Sequence, residues 1–359
     1  MGEQGQDLRR AASQRGRLDF IDAIRGVASL VVVVHHTLES LSRGYNQWSH
    51  EHVDLGRVGI VAFFVVSGYV VGLTLTSQSP RTFTVRRFWR LFPIYWLATV
   101  LWIVVWVATG HSLDAQIGGL AVVANVLMVQ GFVGVFSILG PGWTLGIELA
   151  FYAQSVVSKI ARLLKQSAWL GFAWLAIFAT LASSNATRGT AYSDVVPLMM
   201  FTASLGFALF RWDTDRDRTF FPLLAAAVVV VPVFGVALAT TEDQPGVWPA
   251  SGFNASYLAG LGLFAVFYAL REKAMPSWLL WLGAVSYSLY LVHVTVIQIV
   301  GATPVWAVGA WLAVPVVAMS SLVTAGVLHR YVERPATDRG RKLTASHPER
   351  VKVIETTGS

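Results

Sequence analysis

The sequence predicts an all-α membrane protein that crosses the bilayer about ten times. Hydrophobic residues make up 55% of the 359 positions, charged residues make up 13%, and the mean hydropathy is +0.57. These values lie outside the usual range of soluble domains. Apolar stretches of about twenty residues, the length a helix needs to cross the hydrocarbon core, recur along the chain. The predicted spans, in order, are 20–42, 58–76, 88–109, 143–163, 167–183, 193–210, 220–240, 254–270, 277–300 and 305–329.

The distribution of basic residues predicts the orientation of these spans. If the N-terminus is cytoplasmic and the further apolar stretch 116–138 does not cross, 24 of the 27 lysines and arginines lie in cytoplasmic segments. This is the bias that the positive-inside rule requires. If 116–138 crossed, the basic clusters at 159–165 and 211–218 would lie outside. We therefore predict that both termini are cytoplasmic and that 116–138 is a re-entrant or interfacial segment packed against protein.

Composition limits the partners and the cofactors. The net charge of +7 comes from the predicted cytoplasmic loops, so we expect the lipid bilayer and its anionic headgroups as partners, and no nucleic acid. The absence of cysteine excludes disulfides and a thiol nucleophile. We expect a polar, disordered cytoplasmic head at 1–17, a membrane domain at 18–335 and a cytoplasmic tail at 336–359. The oligomeric state is left open.

The first span carries ionisable groups on one face. Asp22, Arg25, Ser29 and His36 fall on one stripe of a helix, whereas His35 points elsewhere. Arg25 and His36 are eleven residues apart, about 16 Å along the axis, so His36 lies in the outer half. Ionisable side chains in hydrocarbon usually have a function. The alternative is a structural Asp22–Arg25 pair with a packed histidine.

Two further spans carry candidate functional groups. Arg87 and Arg90 share one face at the cytoplasmic start of the third span, which suits binding of phosphate, although arginines there also serve as interfacial anchors. Glu148 is predicted at a depth similar to that of His36, which indicates a base with its orienting carboxylate, or a proton relay. A structural glutamate is the alternative. His293 also lies in the outer half, where a lone histidine is more often structural.

The chain resembles a known family in six ordered motifs. The motifs are Leu18–Gly26 with the Arg-x10-His spacing to His36, Phe63–Tyr69, Arg86–Tyr95, Trp143–Tyr152, Ser286–His293 and Tyr331–Pro335. In these motifs the chain is similar to the acyltransferase 3 family of bacterial integral membrane proteins. Members of that family O-acetylate polysaccharides of the cell envelope, such as lipopolysaccharide O-antigens and exopolysaccharides, and also Nod factors and some macrolide antibiotics. The resemblance covers nearly the whole chain. One departure is that Glu148-Leu149-Ala150 stands where the family often has Glu-Glu-Gln, so a second carboxylate is missing.

The resemblance implies an enzyme, a transferase that moves an acetyl or other short acyl group from cytoplasmic acyl-CoA, such as acetyl-CoA, to a hydroxyl of a glycan, glycolipid or glycosylated small molecule. It implies a multi-pass protein of the bacterial inner membrane that needs no metal. The implied roles are catalysis for His36 and Glu148, acyl-CoA binding for Arg25, Arg87 and Arg90, and substrate binding for Ser67, Tyr152 and His293. A proton-coupled transporter that uses His36 and Glu148 as a relay is the alternative function.

Overall fold

The computed structural model describes residues 3–112, 118–188, 195–239 and 250–345, with side chains from Asp19 onward except at 186–188 and 237–239. Within these ranges the chain is helical and contains no strand, so the prediction of an all-α protein is confirmed. Residues 346–359 of the predicted tail lie outside the described residues, as do the first two residues of the predicted head. The division into head, membrane domain and tail stays a prediction.

Fifteen α-helices follow one another in the described ranges. They are α1 (Glu3–Leu41), α2 (Arg43–Glu51), α3 (Leu55–Leu75), α4 (Pro80–Ala108), α5 (Gly119–Val126), α6 (Gly142–Ile160), α7 (Leu170–Arg188), α8 (Val195–Asp215), α9 (Phe220–Ala225), α10 (Val231–Ala239), α11 (Ala250–Ala269), α12 (Ser277–Gly301), α13 (Val305–Val308), α14 (Ala310–Leu328) and α15 (Arg334–Ala345). A 3₁₀ turn, Gln166–Trp169, precedes α7, and π turns join α9 to α10 (Ala226–Val230) and α14 to α15 (His329–Glu333).

Eight helical segments of the described chain are long and apolar enough to cross a membrane, which establishes a polytopic membrane protein. They correspond to α1, α3, α4, α7, α8, α11, α12 and the continuous α14–α15. The other two predicted spans are also helical. α6 has 19 residues, and α9 and α10 form one continuous helix with the π turn between them. The count of ten spans and the cytoplasmic termini stay predictions.

The predicted non-crossing segment is a short helix followed by irregular turns. α5 has eight residues, about 12 Å of rise, which is too short to cross a bilayer. The Asn125 side chain ties the segment together, since its amide donates to the carbonyls of Ala121 and Phe136 (both 2.8 Å) and its oxygen accepts from the backbone of Ile138 at 2.9 Å. Irregular backbone at membrane depth needs such internal partners.

The direction of α6 is compatible with the prediction that this segment does not cross. Near the end of α6, the Lys159 ammonium donates to the carbonyl oxygens of Leu75 and Gln78, at and just beyond the end of α3. α3 and α6 therefore end on the same side. If α4 and α6 each cross once, the α5 segment between them returns to the side from which it came, as predicted.

Glycines bring two pairs of helices to backbone contact. A Cβ built on Gly283 of α12 would lie 2.1 Å from the Asp22 carbonyl oxygen of α1. A Cβ on Gly68 of α3 would lie 1.8 Å from the Ala203 carbonyl oxygen of α8, and one on Gly206 would lie 1.9 Å from the Val65 carbonyl oxygen. Small residues at interfaces allow this close packing in membranes. The two seams, α1 with α12 and α3 with α8, fix the centre of the fold.

Side-chain caps set the starts of α3 and α4, the helices that carry Ser67, Arg87 and Arg90. The Asp54 carboxylate accepts from the backbone of Arg57 at 3.0 Å and begins α3, and the Ser79 hydroxyl accepts from the backbone of Thr82 at 3.2 Å and begins α4. Pro80 occupies the first position of α4. These caps satisfy donors that a helix start leaves without a partner.

Candidate functional site

A cavity of about 290 Å³ lies between α1, α3, α4, α6 and α12. It extends from the end of the molecule where α1, α4 and α12 begin their membrane spans, which is the predicted cytoplasmic side, to Thr144 in the first turn of α6. Most of its wall is apolar, and its polar and charged lining includes Asp22, Arg25, Ser67, Thr74, Arg87, Arg90, Thr144, Glu148 and Tyr152. The cavity therefore brings together six of the eight predicted site residues.

The three predicted acyl-CoA arginines all line this cavity, but their partners differ. Arg25 pairs with Asp22 at 3.8 Å, as the helical spacing predicts. Arg87 is buried, and its guanidinium donates to the Thr74 hydroxyl at 3.2 Å. Arg90 forms no hydrogen bond or ion pair within the described part of the chain. A cationic group that faces a cavity without an anionic partner favours an anionic ligand.

Arg87 is held by aromatic rings rather than by lipid headgroups. Its guanidinium lies 5.1 Å from the ring centroid of Phe83 and 4.9 Å from that of Tyr152, a cation–π arrangement. With 8% of its surface exposed, Arg87 does not fit the alternative of an anchor at the membrane interface. The position of this guanidinium depends on α4 and α6 together.

Glu148 belongs to the arginine cavity. Its carboxylate accepts hydrogen bonds from the Ser67 hydroxyl, at 3.3 Å, and from the Tyr152 hydroxyl. Tyr152 thus links Glu148 to Arg87. The two residues predicted to contact substrate from this side, Ser67 and Tyr152, orient Glu148 in this structure.

His36 lies at the other end of α1 and does not line the cavity. Its ring packs against His35 at a centroid distance of 5.3 Å and against His293 at 5.2 Å. Across the side chains that the structure describes, no hydrogen bond or ion pair joins His36 to Glu148. His36 and Glu148 are therefore not in direct contact in this structure, and the ionisable side chains that lie near His36 are His35, Glu39 and His293.

Tyr290 and Thr144 connect the two ends, and sequence reasoning assigned them no role. Tyr290 lines the cavity, and its ring centroid lies 5.9 Å from that of His293. Its hydroxyl shares a hydrogen bond of 2.8 Å with the Thr144 hydroxyl. Both residues stand inside quoted motifs, Thr144 four positions before Glu148 and Tyr290 three positions before His293, so the helical spacing was the available signal.

His35 is fixed by a polar network on the outer side of the histidines. Its Nδ1 lies 3.2 Å from the Tyr45 hydroxyl of α2, and its Nε2 lies 3.2 Å from the Asp54 carboxylate. Burial, together with the carboxylates of Asp54 and Glu39, raises the pKa of Tyr45 to about 12. The phenol therefore stays protonated at neutral pH and can donate to His35.

Comparisons with known proteins agree with this arrangement of motifs. Residues 18–330 match the profile of a family described as an acyltransferase domain. The chain is 24% identical to a putative membrane-bound transacylase, BcsY, of Komagataeibacter xylinus, over 78% of this chain and 72% of that protein. It is 27% identical to the exopolysaccharide production protein ExoZ of Rhizobium meliloti, over 81% of this chain and 92% of that protein.

A third relative is longer than this chain. The peptidoglycan O-acetyltransferase OatA of Listeria monocytogenes is 24% identical over 89% of this chain and 56% of its own length. The aligned region therefore leaves a large part of that protein without a counterpart here. No solved structure matches the chain.

Proposed function

The chain belongs to the acyltransferase 3 family, and from that membership we propose that it is an O-acyltransferase of the bacterial inner membrane that uses acyl-CoA. The proposed reaction moves an acetyl or other short acyl group to a hydroxyl of a glycan, glycolipid or glycosylated small molecule. The names of the relatives, which include an exopolysaccharide protein and a peptidoglycan O-acetyltransferase, support a glycan acceptor.

The observation that carries the proposed donor is the arginine-lined cavity. Arg25, Arg87 and Arg90 come from two helices and face one space of about 290 Å³. Guanidinium groups bind phosphate through paired, charge-assisted hydrogen bonds. The phosphates of coenzyme A are the anions that an acyl donor would bring from the cytoplasm, and only Asp22 and Glu148 offset the three positive charges in the lining.

The distance between the two ends of α1 fits an extended donor. Arg25 and His36 are about 16 Å apart by helix rise. With its phosphates at the arginines, acyl-CoA would direct its pantetheine arm along α1 toward His36 and carry the thioester past Tyr290. The chemistry and the binding of the donor phosphates would then use opposite ends of one helix.

At the outer end, His36 is the proposed base. It accepts the proton of the acceptor hydroxyl, the hydroxyl oxygen attacks the thioester carbonyl, the carbon–sulfur bond breaks, and the CoA sulfur leaves and takes up a proton. Attack by His36 itself, with an acyl-imidazole intermediate, gives the same products. Buried His293 is placed to position the His36 ring, which it contacts at a centroid distance of 5.2 Å.

Glu148 takes a different role in this proposal from the one that the sequence predicted. Since its carboxylate binds Ser67 and Tyr152 in the cavity, we assign it to the donor side, where it holds Tyr152 against Arg87. The transporter alternative relied on a relay between His36 and Glu148, and no hydrogen bond or ion pair joins these two side chains directly among the described residues.

The proposed function is tested with the purified full-length chain in lipid nanodiscs. Incubation with acetyl-CoA labelled in the acetyl group and a panel of glycans should yield labelled glycan and free CoA. The matched control is Arg81→Ala with intact catalytic groups, because Arg81 is exposed in the first turn of α4 outside the cavity. If no glycan acquires label although acetyl-CoA binds, the acceptor class is wrong. If acetyl-CoA does not bind, the donor is wrong.

A further inference from the structure

Three potential metal ligands meet at the outer end of α1. His35, His36 and Glu39 each offer one ligand atom, and these atoms all lie within 4.8 Å of one another. His35 and Glu39 are one helical turn apart, with 3.7 Å between His35 Nε2 and the Glu39 carboxylate. A small inward movement of the two imidazole rings and the Glu39 carboxylate would bring their ligand atoms to the spacing found around one ion.

The ring of His35 is already oriented for such a role. Its Nδ1 faces the Tyr45 hydroxyl at 3.2 Å, which leaves Nε2 directed toward Glu39 and Asp54. A Cβ on Gly56 would lie 2.7 Å from the His35 Cδ2 atom, so the backbone of α3 also holds the ring in place. Histidine ligands of metals usually donate their second ring N–H to a partner, and with an ion on Nε2 the Nδ1–H of His35 would donate to the Tyr45 hydroxyl oxygen.

An independent observation comes from α12. The His293 side chain is completely buried, and its polar contacts among the described residues are with the backbone of Leu289 and Tyr290 on its own helix, at geometry too poor for regular hydrogen bonds. Its ring packs on His36 at a centroid distance of 5.2 Å. A buried imidazole with poorly formed hydrogen bonds is costly. A ligand at this cluster would give it a better partner, either by direct coordination or through the second nitrogen of His36.

The types of ligand atom in this cluster indicate the class of metal ion. Imidazole nitrogens with one or two carboxylates suit Zn²⁺ and its neighbours in the first transition series rather than Mg²⁺ or Ca²⁺, which prefer oxygen ligands. The carboxylates of Glu39 and Asp54 would balance the two charges of the ion.

We propose that the outer end of α1 binds one Zn²⁺ through His35, His36 and Glu39, and that the bound ion inhibits acyl transfer. Inhibition rests on the proposed function, because the metal takes the lone pair that His36 needs as a base. The sequence predicted no metal cofactor, and this ion is an inhibitor, not a participant in the reaction. Binding itself does not depend on the reaction being as proposed.

The test uses the full chain in nanodiscs, freed of metal and titrated with Zn²⁺ by calorimetry, and with Co²⁺ as a spectroscopic probe. We expect one ion per chain and a visible Co²⁺ absorption band typical of a low-coordinate nitrogen and oxygen site. Glu39→Gln should weaken Zn²⁺ binding about 100-fold, since even loss of a ligand's supporting partner costs 10- to 100-fold. It should leave transfer without zinc unchanged and relieve inhibition by zinc.

Matched controls separate this site from other outer-surface groups. Glu51→Gln and His52→Gln change exposed residues near the same surface, one bonded to Gln47 and the other stacked on Trp48, and both should bind Zn²⁺ as the unmodified chain does. The proposal is overturned if no stoichiometric Zn²⁺ binds, or if Glu39→Gln binds it unchanged. Stoichiometric binding without any acyl transfer would contradict the proposed function and retain the metal site.

Discussion

The two ends of α1 present their ionisable groups in opposite ways. At the inner end, Arg25 faces a cavity of about 290 Å³ together with Arg87 and Arg90. At the outer end, His36 is packed between His35 and His293 at centroid distances of 5.3 and 5.2 Å. In the proposed function, the open space lined by cations binds the anionic part of the donor, and the packed imidazole rings carry out proton transfer. Because the two groups of side chains lie at opposite ends of one helix, we expect that binding of the donor and the chemical step can be altered separately.

The largest effect is expected at the outer end. His36→Ala should remove nearly all acyl transfer, because the base is lost, while acyl-CoA affinity remains within about twofold since the arginines are about 16 Å away. Transfer rate and equilibrium binding of CoA are measured on the same preparation, with His52→Ala as the control. Transfer at the unmodified rate would place the chemistry elsewhere, with His293 as the next residue to change.

Substitutions of the arginines at the inner end should weaken the binding of acyl-CoA. Arg87→Ala and Arg90→Ala each remove a charge-assisted contact of about 1.5 to 3 kcal/mol, so we expect acyl-CoA to bind about 10- to 100-fold more weakly. Arg90→Ala is the cleaner variant, because Arg87 also packs on Phe83 and Tyr152. Arg81→Ala is the matched control and should bind normally. Equal affinity in all three variants would show that these arginines do not hold the donor.

A variant of Glu148 tests whether this residue acts in donor binding at the inner end or in catalysis at the outer end. In Glu148→Gln the Tyr152 hydroxyl loses a charged acceptor, which costs about 1 kcal/mol relative to a neutral one. We expect the KM for acyl-CoA to rise about fivefold with kcat nearly unchanged, a smaller loss than in His36→Ala. A fall in kcat at constant KM would instead support the original prediction that Glu148 orients His36.

The smallest effect is expected at Tyr45. Tyr45→Phe removes the hydrogen bond to His35, worth about 1 kcal/mol, and should lower thermal stability slightly without changing acyl-CoA affinity. The pKa of Tyr45 is raised to about 12, so its contribution is present below its ordinary pKa of about 10 and is lost only as the pH rises through about 12. The loss of thermal stability caused by Tyr45→Phe should therefore be equal at about pH 6 and at about pH 9. Tyr331→Phe, at an exposed tyrosine, is the control.

Patterns that can be read within single helices were enough to predict the fold class and part of the candidate site. The all-α membrane fold and the convergence of Arg25, Arg87 and Arg90 followed from hydropathy, charge and spacing. The side chains that contact Glu148 could not be predicted in the same way. Helix rise gives the depth of a residue along the axis of its own helix, but it does not give the tilt or the vertical offset of a neighbouring helix. Those depend on packing, and in the structure α6 presents Glu148 to Ser67 and Tyr152.

The approach of Gly283 to the backbone of Asp22 makes one wall of the cavity rigid. α1 and α12 are in contact at their main chains, so this wall has no side-chain layer that could yield. Another wall is formed by α4, most of whose apolar stretch is not buried inside the protein, in contrast to that of α12. We therefore expect ligands of different size to be accommodated by shifts of α4, the helix that carries Arg87 and Arg90, rather than by shifts of α12.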